Sequence, residues 1–241
     1  MIFLMAKILM ISSIGTAFTL NSQTDPNLKG FNSKSLSFQL NPANCPASID
    51  LNGIIEAALK VWNNVPTANL EVKLGGSTTS TTYANPPSIY CDTAFGTTTG
   101  ADVNGVPGAA SVTTSGGRIV GGVLIINVQP GAQANIANYN PTSLKIILAH
   151  EIGHVLGLGH SEYVPALMYY DAGAKAHLTL GQDDMDGITY LYPRDELGGD
   201  GLLGCGRMGA SNFNGPSMGL LLLMLMMPVL VVLVLRKHAR L

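Results

Sequence analysis

Three histidines and a glutamate fall in one short stretch, His150-Glu151-Ile152-Gly153-His154-Val155-Leu156-Gly157-Leu158-Gly159-His160. His150 and His154 are four apart, so on a helix they share a face and can each point a ring nitrogen at one zinc ion. Glu151 projects beside that face, where a carboxylate can take a proton from metal-activated water. Gly157 lets the chain leave the helix through a backbone conformation that a Cβ would penalise. His160 then arrives from outside the helix as a third ligand. Three protein ligands leave one tetrahedral position open, as catalytic zinc requires. His-Glu-x-x-His by itself also fits an ordinary amphipathic helix with a buried His pair. The glycine and the third histidine at set offsets tilt the reading to a metal centre.

This longer string resembles the signature of the metzincin metallopeptidases. The resemblance implies a methionine turn downstream, and Ala166-Leu167-Met168-Tyr169 fits it. Met168 would then lie beneath the histidines as an apolar floor and not as a ligand. A plain core methionine would occupy much the same surroundings.

Composition narrows the remaining classes. The chain has 241 residues, enough for one domain with a real core plus sorting segments. Only 12% of residues are charged and the formal net charge is −2. There is no basic stripe and no interleaving of aromatic with basic residues, so nucleic acid is not an expected partner. The three cysteines, Cys45, Cys91 and Cys205, form no Cys-x-x-Cys pair, which argues against a thiolate zinc site. An exported context permits a Cys45–Cys91 disulfide; two unpaired buried thiols are the alternative, and Cys205 is left over.

Residues 1–20 read as an export signal. Lys7 precedes an apolar run, and Gly15-Thr16-Ala17 offers small residues at a signal-peptidase spacing. A retained anchor is the other reading. Residues 21–35 are expected to be a flexible mature start, and residues 36–194 the folded domain. Within it, Leu36, Phe38 and Leu40 alternate as a strand. Leu51, Ile54, Ile55, Ala58, Leu59 and Trp62 recur at helical spacing, with Ser48 or Asp50 as cap and Pro66 beyond the end. Residues 70–74 alternate as a second strand. The Gly/Thr/Ser-rich residues 75–122 read as loops and short strands, with an edge strand at 109–113. Residues 123–128 form a buried strand. A second helix starts at Pro141-Thr142-Ser143, capped by Thr142 or Ser143, and carries His150 and His154. A third starts at Gly181-Gln182-Asp183-Asp184 and stops at Pro193.

Residues 195–218 are Gly-rich and read as a linker. Residues 219–235 are almost wholly apolar and read as a transmembrane or sorting segment, and residues 236–241 as a basic cytoplasmic tail. The tail resembles the three-part C-terminal sorting signals of bacterial surface proteins. The resemblance implies a processing enzyme acting near Gly204-Cys205-Gly206; a simple membrane anchor is the alternative. Either places the domain outside the cytoplasm or on the cell surface.

From about residue 36 to 192 the chain resembles the matrixin branch of the metzincins. The resemblance is carried by Trp62 at the end of the first helix, by His154 to Ser161, and by Gln182-Asp183-Asp184-Met185-Asp186-Gly187-Ile188 with Leu191-Tyr192. It implies an α+β, zincin-like fold: a twisted, mostly parallel five-stranded sheet with three helices and an active-site cleft along an edge strand. It implies one catalytic zinc on His150, His154 and His160, with Glu151 as base in peptide-bond hydrolysis. Asp183 and Asp184 would tie the last helix to the methionine turn, and Ser161 would sit beside the last ligand. A protein or peptide substrate would lie extended on the edge strand.

The chain departs from that pattern in places. No histidine precedes His150, so no second, structural zinc is expected. The Pro-Arg-Cys-Gly segment of matrixin zymogens is absent. Tyr170 stands where matrixins usually place a proline; astacins and serralysins carry a tyrosine there. That implies a catalytic hydrogen bond from Tyr170 to the tetrahedral intermediate, with a surface or pocket-wall tyrosine as the alternative. Asp92, Asp102, Asn104 and Asp171 are candidates for a stabilising calcium, although no calcium-loop pattern appears. Two other functions fit the same residues: a surface binding or adhesion module that keeps the zinc fold with weak turnover, and hydrolysis of a non-peptide amide.

Overall fold

Alternation along Ser35–Asn41 drives Leu36, Phe38 and Leu40 into the core, and this strand, β1, is where the sheet is built. The computed structural model describes residues 18–21 and 25–194. Most of the expected signal, the 195–218 linker, the 219–235 segment, the basic tail and Cys205 therefore lie outside the described residues. Among the described residues no helix is long and apolar enough to cross a membrane.

The first helix, α1, spans Leu51–Trp62 and buries the six apolar residues expected. Asp50 is its cap, accepting from the Gly53 amide at 3.1 Å. Past its end, Asn63 exchanges two hydrogen bonds with the backbone of Val72, at 2.7 and 2.9 Å. That clamp fixes where β2, Glu71–Ser77, begins beside β1.

Two elements then come from the Gly/Thr/Ser-rich stretch. Strand β3, Ser88–Asp92, is short but buried, and it runs parallel to both β1 and the later β5. Helix α2, Phe95–Thr99, is a single turn anchored by the buried Phe95 and closed by Gly100 in the left-handed region. It adds one short helix to the three expected. The Cys45–Cys91 disulfide, with Cα atoms 5.2 Å apart, ties the loop after β1 to β3.

Strands β4, Gly108–Ser115, and β5, Arg118–Asn127, are antiparallel. Gly116 and Gly117 join them with φ of 57° and 72°, the positive values that a two-residue hairpin turn demands. The sheet order is β2-β1-β3-β5-β4, so only the edge strand β4 runs against the rest. This is the mostly parallel five-stranded α+β sheet that the resemblance implied.

Helix α3, Pro141–Leu156, packs against α1 and carries the histidine motif. Its cap is Asn140, which accepts from the Ser143 amide at 2.9 Å; neither Thr142 nor Ser143 serves. Pro141 occupies the first helical position, where its missing N–H costs nothing, and so the cap falls on the residue before it. Trp62 at the end of α1 donates its indole N–H to the Ala149 carbonyl at 3.0 Å. The residue before the first candidate ligand is thereby pinned. Helix α4, Gln182–Leu191, closes the domain behind the site.

Candidate active site

His150 and His154 leave α3 on one face, as a four-residue spacing requires. Each has a carbonyl behind it. The His150 Nδ1 lies 2.9 Å from the Leu167 oxygen, and the His154 Nδ1 lies 2.8 Å from the Leu158 oxygen. A carbonyl can only accept, so both Nδ1 atoms carry the proton and both Nε2 lone pairs are free to bind a cation. Burial holds both imidazoles neutral: it lowers His150 to about 4 and His154 to about 3.

Gly157 ends α3 at φ 114°, and a Cβ there would press on Ile119 and Leu191. The chain reverses and delivers His160, whose Nε2 stands 3.1 Å from that of His154. One ligand nitrogen from each of the three histidines fits within 4.8 Å of the others. Zinc–nitrogen bonds of about 2.0–2.1 Å on tetrahedral directions separate donors by roughly 3.4 Å, and the 3.1 Å between the His154 and His160 nitrogens is close to that spacing. Among the described residues this is the only group of three histidine, cysteine or acidic side chains able to hold a metal.

The residues considered for calcium each have a place in the described structure. Asp92 and Asp102 each accept from a backbone amide two residues on, and Asn104 accepts from the Gln133 amide. Asp171 lines the histidine cleft.

Met168 is buried against the helix that carries His150 and His154. A Cβ on Gly153 would come within 2.3 Å of its sulfur, so only glycine lets α3 settle onto this methionine. Asp184 holds the turn in place, accepting from the amides of Leu167 at 2.6 Å, Met168 at 2.9 Å and Gly181 at 2.7 Å. Burial pushes its carboxyl upward against those bonds. Asp183 accepts from the Ser161 hydroxyl, the residue after His160. The two aspartates thus reach both the methionine turn and the loop of the third histidine.

The histidines open into a cleft of about 530 Å³. It is lined by the start of the edge strand, Gly108 to Ala110, and by Tyr139 and Ile147. Glu151 lines the cleft beside the histidines, where loss of water raises its carboxyl to about 8. A Cβ on Gly108 would stand 3.2 Å from the Glu151 Cγ. Tyr170 lines the same cleft but is 66% exposed, with its ring 4.3 Å from that of Tyr169.

One contribution was invisible in the sequence. Residues 18–21, of which 18–20 fell within the expected signal, lie along the loop that presents His160. The Gly159 amide donates to the Thr19 carbonyl and the Asn21 amide to the Gly157 carbonyl, both at 2.8 Å. The Asn21 side chain donates to the His154 carbonyl at 2.9 Å, and the Thr19 hydroxyl donates to that of His160. No local pattern announces a pairing between segments so far apart in the chain.

A sheet with one antiparallel edge strand, a helix bearing two of three clustered histidines and a buried methionine packed against that helix make up a metzincin-type arrangement. Residues 90–193 match the matrixin family profile. The domain is a matrixin-like metzincin. Curated relatives agree: it is 32% identical over 165 residues to matrix metalloproteinase-19 of Mus musculus, an alignment covering 66% of this chain and 28% of the relative. It is 29% identical over 144 residues to the interstitial collagenase of Oryctolagus cuniculus, covering 59% and 28%. It is 48% identical over 50 residues to metalloendoproteinase 1 of Glycine max, covering 20% and 16%. The aligned part spans less than a third of each of these relatives.

Proposed function

We propose that this domain is a zinc-dependent endopeptidase acting outside the cytoplasm, with His150, His154 and His160 as ligands and Glu151 as general base. The observation that carries the reading is the convergence of three imidazoles, two with Nδ1 committed to carbonyls, in a cleft beside an edge strand. Bound zinc supplies Lewis-acid chemistry, polarising a carbonyl and acidifying water. The chain's own residues do the rest. Strand β4 ends the sheet order, so its outer edge is available for an extended peptide to add as a further strand. Glu151 receives the proton released as water attacks the scissile carbonyl, then delivers it to the leaving amine. Its burial favours that receipt. Tyr170, covered once substrate fills the rim, donates a hydrogen bond to the oxygen that gains charge.

Glu151→Ala tests this reading. Cleavage of a peptide pool is expected to fall about a thousandfold while zinc content is kept, in the range typical of a lost acid–base group. Equal cleavage by both proteins would remove the hydrolytic reading and leave the binding-module one.

Several features support an exported, membrane-held protein. They are the apolar run from Ile8 to Leu20 with Gly15-Thr16-Ala17 within it, the apolar 219–235 segment with its basic end, and a disulfide suited to an oxidising compartment. A processing cut after Ala17 keeps residues 18–21 with the domain. Processing near Cys205 would remove the C-terminal segment. The mass of the mature protein decides both points: a chain starting beyond Asn21, or one still ending at Leu241, would refute the corresponding cut.

A further inference from the structure

The cleft holds two carboxylates, and the hydrolytic step uses only Glu151. The other, Asp171, is exposed on the rim beside Tyr170. Its side chain does not cap the short helical turn that follows, and the described residues give it neither a hydrogen bond nor an ion pair. No lysine or arginine lines the cleft. Lys175, in the same loop, is already engaged: its ammonium donates to the Val164 carbonyl and lies 5.6 Å from the centre of the Tyr169 ring.

The space around this carboxylate is narrow in chemistry but generous in room. Gly108 and Ala109 line the same cleft with little side chain, and Tyr139 and Ile147 add apolar lining. The carboxylate overhangs Gly173, where a Cβ would stand 3.2 Å from Asp171 Oδ1. A side chain that suits such a site has a long apolar stem and a cationic head. The stem covers Ile147 and Tyr139, and the head finds an acceptor free to make a charge-assisted hydrogen bond. A carboxylate-bearing side chain would meet like charge instead.

Given the endopeptidase reading, on which this selection rests, we infer that Asp171 selects peptides with lysine or arginine at the position whose side chain enters the cleft. The test uses quenched fluorescent peptides that differ only at one position, carrying Lys, Leu or Glu. In the wild-type protein with zinc, kcat/KM is expected to favour Lys. Asp171→Asn should lower the Lys-to-Leu ratio about tenfold, the scale of one charge-assisted hydrogen bond. Asp171→Lys should turn the preference towards Glu, which a merely structural role would not do. A ratio unchanged in both variants overturns the selection, as does a wild-type preference for Leu.

The same peptides, labelled, can be titrated against zinc-loaded Glu151→Ala protein and its Asp171→Asn double variant by fluorescence anisotropy. Tighter binding of the Lys peptide, lost in the double variant, upholds the selection even if no peptide is cleaved by the wild type. In that case the hydrolytic reading alone fails. Equal binding of all three peptides overturns the selection whatever the cleavage assays give.

Discussion

Each helical imidazole of the cleft has a carbonyl oxygen at its back, and that pairing fixes which nitrogen faces the cation. The four-residue spacing was legible in the sequence; the carbonyls of Leu167 and Leu158 were not, because main-chain oxygens leave no trace in residue identity. The five side chains singled out for chemistry, His150, Glu151, His154, His160 and Tyr170, all line one cleft. Tyr170 differs from the others in standing mostly in solvent. In the proposed mechanism its rim hydroxyl acts only once substrate is bound. Tyr170→Phe is therefore expected to lower kcat by roughly a hundredfold, the cost of an oxyanion donor, with KM little changed. Steady-state kinetics on one good peptide checks this. An unaltered kcat would make Tyr170 a wall of the cleft.

Among the elements, the methionine turn and α4 depend on each other. Asp184 takes three backbone amides from the turn and its flank, and burial leaves those amides no water to replace it. Asp184→Ala should cost roughly 3 kcal/mol or more of folding stability, since unpaired buried donors cost about 1–3 kcal/mol each and part of the turn can relax. Urea unfolding of the metal-free protein measures it. A loss under about 1 kcal/mol would mean that the turn holds itself.

The elements that the sequence announced are those with a strong period: the alternation of Leu36, Phe38 and Leu40, and the apolar stripe of α1. Strand β3 was obscured because five residues between Gly/Thr/Ser-rich flanks carry too little pattern, and its burial comes from neighbours on both sides. The cap of α3 was misread because Pro141 moved it to Asn140. Thr19 and Asn21 were hidden for a different reason. An apolar leader pattern and a docking strand look alike until the loop they meet is in view.

Across the whole molecule, the sheet and its disulfide form a frame, and every candidate catalytic group sits on α3 or on loops around its C-terminal end. The frame sets the cleft beside β4, where an extended chain can be held without any fitted pocket for its backbone. The matrixin match, residues 90–193, covers the site with strands β4 and β5, and says nothing about residues 195–241. The proposed selection of substrate belongs to the rim of this cleft, where Asp171 carries the charge.

Metal content is the most direct check on all of this. Elemental analysis of the purified protein, refolded with zinc and then dialysed, should find one zinc per chain, and His160→Ala should lose most of it while keeping the fold. A folded wild-type protein that retains no zinc, or a His160→Ala variant that binds it as well as wild type, would contradict the account.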